Sequence, residues 1–154
     1  MYSGGLALAR EMSRFVGSVE HALDEKGRLV VPARFRERLG EELIMTIAEP
    51  DQCLALYPIA AWERVCEKLE AAPLKDQRYR RFVRHLFAHT EEVSCDGQGR
   101  LVIPPVLRAY AGIERECVSI GALTRVEIWS KERLNSLRPA DDEVEAFSTE
   151  LGLY

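Results

Sequence analysis

Two short phrases place an arginine where it can bind an anion. Asp24-Glu25-Lys26-Gly27-Arg28-Leu29-Val30-Val31-Pro32 returns 72 positions later as Asp96-Gly97-Gln98-Gly99-Arg100-Leu101-Val102-Ile103-Pro104. Asp24 and Gly27, like Asp96 and Gly99, are turn-forming residues: Asp bonds the turn amides and Gly supplies a positive φ. A tight turn at a strand end projects Arg28, and in the second copy Arg100, beyond the sheet. The guanidinium is a planar fork of donors that fits a phosphate, or the edge of guanine, bidentately. The bland alternative is a plain turn in which Asp24 caps the backbone and pairs with Arg28. Recurrence of the same arginine within one chain weighs toward binding, while a folding requirement for the turn stays open.

Bases cluster around the first phrase. Lys26, Arg28, Arg34, Arg36 and Arg38 face only Glu37 in acid, a local charge of +4. The matching stretch keeps Arg100 and Arg108, but Gln98 stands for Lys26 and Val106 for Arg34, so the two copies are expected to contribute unequally. Lys75, Arg78, Arg80, Arg81 and Arg84 against Asp76 make a second cluster of +4. A charge-rich helix face is most simply solvated, and its apolar stripe packs within the chain or against another subunit. The whole chain carries −4, which does not by itself suggest nucleic acid. Local clusters still set the field within a Debye length of ~8–10 Å.

Other chemistries find little support. Asp24 and Asp96 as a carboxylate pair would suit a hydrolase, but each has a turn-capping explanation and no acid–base partner is indicated. No catalytic residue is assigned. His21, His85 and His89 are scattered, and Cys53, Cys66, Cys95 and Cys117 lack metal-ligand spacing, so neither a metal nor a cofactor is expected. The cysteines read as reduced thiols in a cytosolic protein, mostly buried. Trp62 and Trp129 read as core or interface anchors. No apolar run approaches the ~20 residues of a membrane span.

The elements that must position these residues repeat with the same period. In the first copy Val19–Leu23, Leu29–Val31, Leu43–Ile47 and Cys53–Tyr57 read as strands, and Ala33–Leu39 as a short helix between Pro32 and Gly40. A helix follows Pro58, with Trp62, Val65, Cys66 and Leu69 on one face. The second copy reads alike: strands at Glu92–Cys95, Leu101–Ile103, Cys117–Ile120 and Val126–Trp129, and helices at Pro104–Ala111 and Lys131–Leu137, the latter N-capped by Ser130. Arg36 matches Arg108, Gly40 matches Gly112 and Tyr57 matches Trp129. Tyr79, Phe82, Val83 and Leu86 give the linker a helical face, which predicts a helical hairpin between the copies. The boundaries expected are an extension at 1–14, a first repeat at 15–70, a linking helix at 71–90, a second repeat at 91–138 and an acidic tail at 139–154, solvated or frayed. Neither copy is expected to close its core alone.

The double phrase Asp-x-x-Gly-Arg-Leu-x-x-Pro-x-x-x-Arg, at Asp24–Arg36 and Asp96–Arg108, resembles the MraZ family of bacterial transcriptional regulators, within the AbrB/SpoVT superfamily. Leu54-x-Leu56-Tyr57-Pro58, Arg80-Arg81-x-x-Arg84-x-Leu86 and Val126-Glu127-Ile128-Trp129 support it. The resemblance covers about Met12 to Leu137. It implies an α+β fold of tandem βαββ-type repeats forming a swapped-hairpin, AbrB-like β-barrel with flanking helices. It also implies a ring-like homo-oligomer that binds double-stranded DNA at short promoter repeats of the cell-division and cell-wall gene cluster, its own gene being the first member. Matching the motif puts Arg28, with Lys26 beside it, at the family's DNA-contacting position and Arg100 at its counterpart; Arg34 and Arg36 are weaker candidates. The expected location is the cytoplasm, at the nucleoid, with no membrane and no small-molecule substrate. The competing reading is an oligomeric protein-interaction module without DNA binding.

Overall fold

The computed structural model describes residues 14–154; the extension expected at 1–14 lies outside them but for Arg14. The first copy runs β1 (Ser18–Ala22), β2 (Arg28–Val30), α1 (Ala33–Leu39), β3 (Glu42–Ala48), β4 (Cys53–Pro58) and α2 (Ile59–Glu70). After α3 (Gln77–Ala88), the second copy repeats the order with β5 (Glu91–Ser94), β6 (Arg100–Val102), α4 (Pro105–Ala111), β7 (Glu116–Ala122), β8 (Arg125–Ser130) and α5 (Lys131–Ser136). A last helix, α6 (Asp141–Glu150), carries the acidic tail.

Local chemistry explains the boundaries. Pro32 and Pro104 sit at the N-caps of α1 and α4, with φ of −53° and −57°. Pro suits a helix start, where the missing N–H has no helical partner. Gly112 ends α4 in the left-handed conformation at φ 66°. Asp76 caps α3 by accepting from the Tyr79 amide (3.1 Å), and Ser130 caps α5 by accepting from Arg133 N–H (3.2 Å). β2 and β6 each end one residue before the sequence reading, because the amides of Val31 and Ile103 turn away to the opposite copy.

The strands pair antiparallel in an open six-stranded sheet of order β1-β7-β8-β4-β3-β5, with β2 and β6 forming a separate ribbon. The order shows an exchange. The β3–β4 hairpin of the first copy takes β5 of the second at its edge, and the β7–β8 hairpin of the second takes β1 of the first. The copies meet at the centre through β4 and β8, where Ala55 faces Glu127. The fold is therefore α+β, with each copy completing the other's sheet.

The core lies between sheet and helices. Leu43, Met45, Leu54, Leu56, Leu107 and Ile128 are among its fully buried side chains. β3 and β4 are buried along nearly their whole length, since helices α1, α2 and α4 pack on β4 and α2, α3 and α4 on β3. Trp62 packs between Tyr57 and Phe87, its ring tilted to both at centroid distances of 5.5 and 5.6 Å, joining α2, β4 and α3. The linker forms the helical hairpin its periodicity predicts, clasped by the Tyr79 hydroxyl donating to the Leu69 carbonyl (2.9 Å). Among the described residues no helix is long and apolar enough to cross a membrane.

Candidate nucleic-acid interface

The β2–β6 ribbon brings the two predicted arginines together. Arg28 lies opposite Val102, Leu29 opposite Leu101, and Val30 opposite Arg100. Alternate side chains of a strand take opposite faces. Leu29 and Leu101 point inward and are buried, so Arg28, Val30, Arg100 and Val102 share the outer face. Val30 and Val102 are 53% and 57% exposed there. Arg28 and Arg100 both line one open cleft of about 500 Å³, together with Asp96, Val102 and Pro104.

Each arginine is aimed by its own turn. The Asp24 Oδ1 accepts from the amides of Lys26 and Arg28 (both 2.9 Å), and its Oδ2 accepts from Arg28 Nε at 2.6 Å. The second turn repeats this: Asp96 Oδ1 takes the amides of Gln98 and Arg100 (both 2.9 Å), and Oδ2 takes Arg100 Nε at 2.8 Å. The amide of Arg100 is the chief cause holding the Asp96 carboxyl down to about 2. Asp24 is lowered too, chiefly by the Arg28 amide. Hydrogen bonds to an ionised carboxylate are short and strong, so both side chains are oriented before any ligand arrives.

The turn-capping reading is therefore present as well as the projecting arginine. The two are compatible, because the ion pair engages Nε alone. Among the described residues, the Nη groups of Arg28 and Arg100 have no hydrogen-bond acceptor, and both side chains line the cleft. Two Nη groups on each side chain are the donors a phosphate or guanine would take.

Each turn is built by both copies. Gly27 and Gly99 hold φ of 73° and 77°, a region open to Gly at little cost. Their carbonyls accept from the opposite copy: Ile103 N–H to Gly27 O (3.1 Å) and Val31 N–H to Gly99 O (2.9 Å). Arg108 lies over Gly27, and Arg36 lies so close over Gly99 that a Cβ there would push its guanidinium aside. The matched pair Arg36 and Arg108 thus crosses between the copies, each covering the other copy's turn.

The remaining predicted residues are placed differently. The Lys26 side chain is exposed beside Arg28. Arg34 packs its guanidinium 5.1 Å from the Phe35 ring centroid and donates to the Ser18 carbonyl at 3.3 Å. The ribbon also has members that the sequence reading did not single out, Val30 and Val102. Period-two alternation in Arg-Leu-Val, with Leu inward, is the signal that marks both valines as outward.

Among the described residues the other titratable groups form no competing site. His21 Nε2 is 2.6 Å from Ser119 Oγ between β1 and β7, and burial lowers its pKa. His85 sits 3.7 Å from Glu49. Among the described residues no cluster of His, Cys, Asp or Glu could hold a metal. All four cysteines are free; Cys53 and Cys117 are buried and Cys66 and Cys95 partly so.

Comparison with known proteins decides the family. The family model described as "MraZ protein, putative antitoxin-like" matches twice, over residues 14–85 and 86–147. The chain belongs to the MraZ family. Each matched segment of this MraZ chain contains one Asp-x-x-Gly-Arg turn. It is 42% identical to a Clostridium acetobutylicum protein over 90% of this chain and 99% of that one. It is 46% identical to proteins of Thermomicrobium roseum and Saccharopolyspora erythraea, each over 77% of this chain and 82% of the relative. All three carry the name transcriptional regulator MraZ, a regulator's name and not an enzyme's.

Proposed function

We propose that the chain is a sequence-specific DNA-binding transcriptional regulator that grips double-stranded DNA through the outer face of the β2–β6 ribbon. The observation that carries this is the shared face of Arg28 and Arg100, each aimed by a turn aspartate with its Nη donors unspent. A two-stranded ribbon fits the ~12 Å major groove. Arg28 and Arg100 take phosphate or guanine there, and Val30 and Val102 between them offer apolar contact to thymine methyls. Lys26 adds a phosphate contact on the first turn that Gln98 cannot match. Arg36 and Arg34 act behind the surface, bracing the second turn and β1.

The exchange of β1 and β5 between hairpins supports reading the fold as the swapped-hairpin, AbrB-like barrel, with repeats at 15–70 and 91–138 joined by the linking helix at 71–90. The names of the relatives support a regulator, working in the cytoplasm at the nucleoid. One ribbon reads few bases, so several held in a ring-like homo-oligomer supply discrimination by avidity at promoter repeats of the cell-division and cell-wall cluster.

Titrating DNA from upstream of its own gene, across a salt series, tests the reading. Log K should fall by ~0.9 per phosphate contact per log unit of salt. An Arg28→Ala protein should keep its fold and lose operator binding. Wild-type affinity in that variant, or binding indifferent to salt, contradicts the proposal.

A further inference from the structure

Helix α6 buries none of its residues. Val144, Phe147 and Leu151 fall at i, i+3 and i+7, on one face, and are 53%, 58% and 58% exposed. Glu143 and Glu150 stand four residues before and three after Phe147, on that same face. The segment 139–154 holds Asp141, Asp142, Glu143, Glu145 and Glu150 and no base. A ten-residue helix is marginal alone in water, since isolated helices shorter than ~12–15 residues seldom persist. The acids of its first turn favour its N-terminus, but among the described residues nothing covers its apolar stripe.

A complementary face exists elsewhere on the same molecule. On α3, Tyr79, Val83 and Leu86 turn inward, leaving Phe82 outward and 45% exposed. Arg78 stands four residues before Phe82, Arg81 beside it, and His85 three residues after. Arg78 is 87% exposed, and among the described residues its ion-pair partner is Asp76 at 3.3 Å. Arg81 and Arg84 are exposed too. Both helices thus carry an exposed aromatic flanked at the same spacings, by Glu143 and Glu150 on α6 and by Arg78 and His85 on α3, where His85 also neighbours Glu49 and Arg81 adds a further base. At ~1.5 Å per residue their lengths also agree, about 15 and 18 Å.

We propose that α6 of one copy docks on α3 of a second copy of this chain, Phe147 against Phe82, with Glu143 and Glu150 answering the arginines of α3. This rests on the oligomer of the preceding section and names its contact. The two faces are different surfaces of one chain, so the contact is heterologous, and repeated addition closes a ring or runs on as a filament. It gives the basic helix a protein partner in place of DNA: an aromatic at the centre of the cationic face suits an apolar anchor better than a phosphate backbone. The acidic tail then supplies assembly and leaves the ribbon arginines for nucleic acid.

Charge reversal in the full-length protein tests this, read by sedimentation velocity over a concentration series. Arg78→Glu with Arg81→Glu should weaken self-association about tenfold or more, and Glu143→Arg with Glu150→Arg should do the same. Combining the four should restore association. Phe147→Ser should dissociate the assembly with the circular dichroism of the folded chain retained. A wild-type oligomer indifferent to all of these overturns the docking and leaves the DNA reading standing. A loss of affinity for a single DNA box in the α3 variant, with assembly unchanged, assigns α3 to DNA and also overturns it. A wild-type protein that is monomeric throughout removes the oligomer itself.

Discussion

Leu29 faces Leu101, its own counterpart 72 residues on, at the centre of the β2–β6 ribbon, and both are buried. Ala55 and Glu127, also counterparts, face each other where β4 meets β8. The pseudo-two-fold axis therefore passes through both sheets. β1 and β2 of the first copy have their partners in the second. A fragment of residues 14–90 should consequently fail to fold as a monomer. Circular dichroism and sedimentation of the fragment check this; a cooperative melt from a monomeric fragment would be the opposite outcome.

The turn glycines should differ in tolerance. Gly99→Ala meets both a φ of 77° and the guanidinium of Arg36, whereas at Gly27 the nearest atom, Arg108 Nη1, stands 3.2 Å from a new Cβ. Gly99→Ala should cost about 1–3 kcal/mol of stability and Gly27→Ala less. Adding Arg36→Ala to Gly99→Ala should return the difference and leave the backbone strain. Denaturant melts of the four-member cycle give the coupling directly.

Acid should act on the turns late. The Asp96 carboxyl is held down from 3.8 to about 2, and Asp24 is lowered as well, chiefly by the amides of Arg100 and Arg28 respectively. A folded-state pKa below the unfolded one stabilises the fold fully above the unfolded value, and that contribution is lost as pH falls through the folded value. The turns should stay intact at pH 5 and open between about 4 and 2. Thermal melts down that range should show a steepening loss, weakened in Asp24→Asn and Asp96→Asn proteins.

The thiols should separate into two classes. Burial pushes Cys53 up to about 12 and Cys117 up to about 11, so neither supplies the reactive thiolate near neutral pH. Alkylation of the native protein at pH 8 should reach the partly exposed Cys66 and Cys95 first. Cys53 and Cys117 should react only on unfolding, which peptide mapping after timed labelling would show.

The sequence was most legible where structure is local. The turns, the proline-led helices, the Ser130 cap and the helical hairpin each depend on residues within a few positions, and each was read correctly. The duplication also announced that the copies need one another. Which strand crosses to which hairpin was not legible, because β1 and β5 have the same local pattern whether they pair at home or with the other copy. The covering of Gly99 by Arg36 was hidden for the same reason, since no spacing along the chain relates them. Only half of the cysteines are fully buried, where most were expected to be: Cys66 lies on the rim of α2 and Cys95 just past β5, near the cleft.

Joining the two halves covalently has a further consequence. A pair of identical chains would have matching left and right sides and would favour a palindrome. Here one loop tip carries Lys26 and the other Gln98, so the proposed DNA-binding surface has a direction. A protein with such a heading can tell one way along a duplex from the other, and copies arrayed side by side would all point the same way.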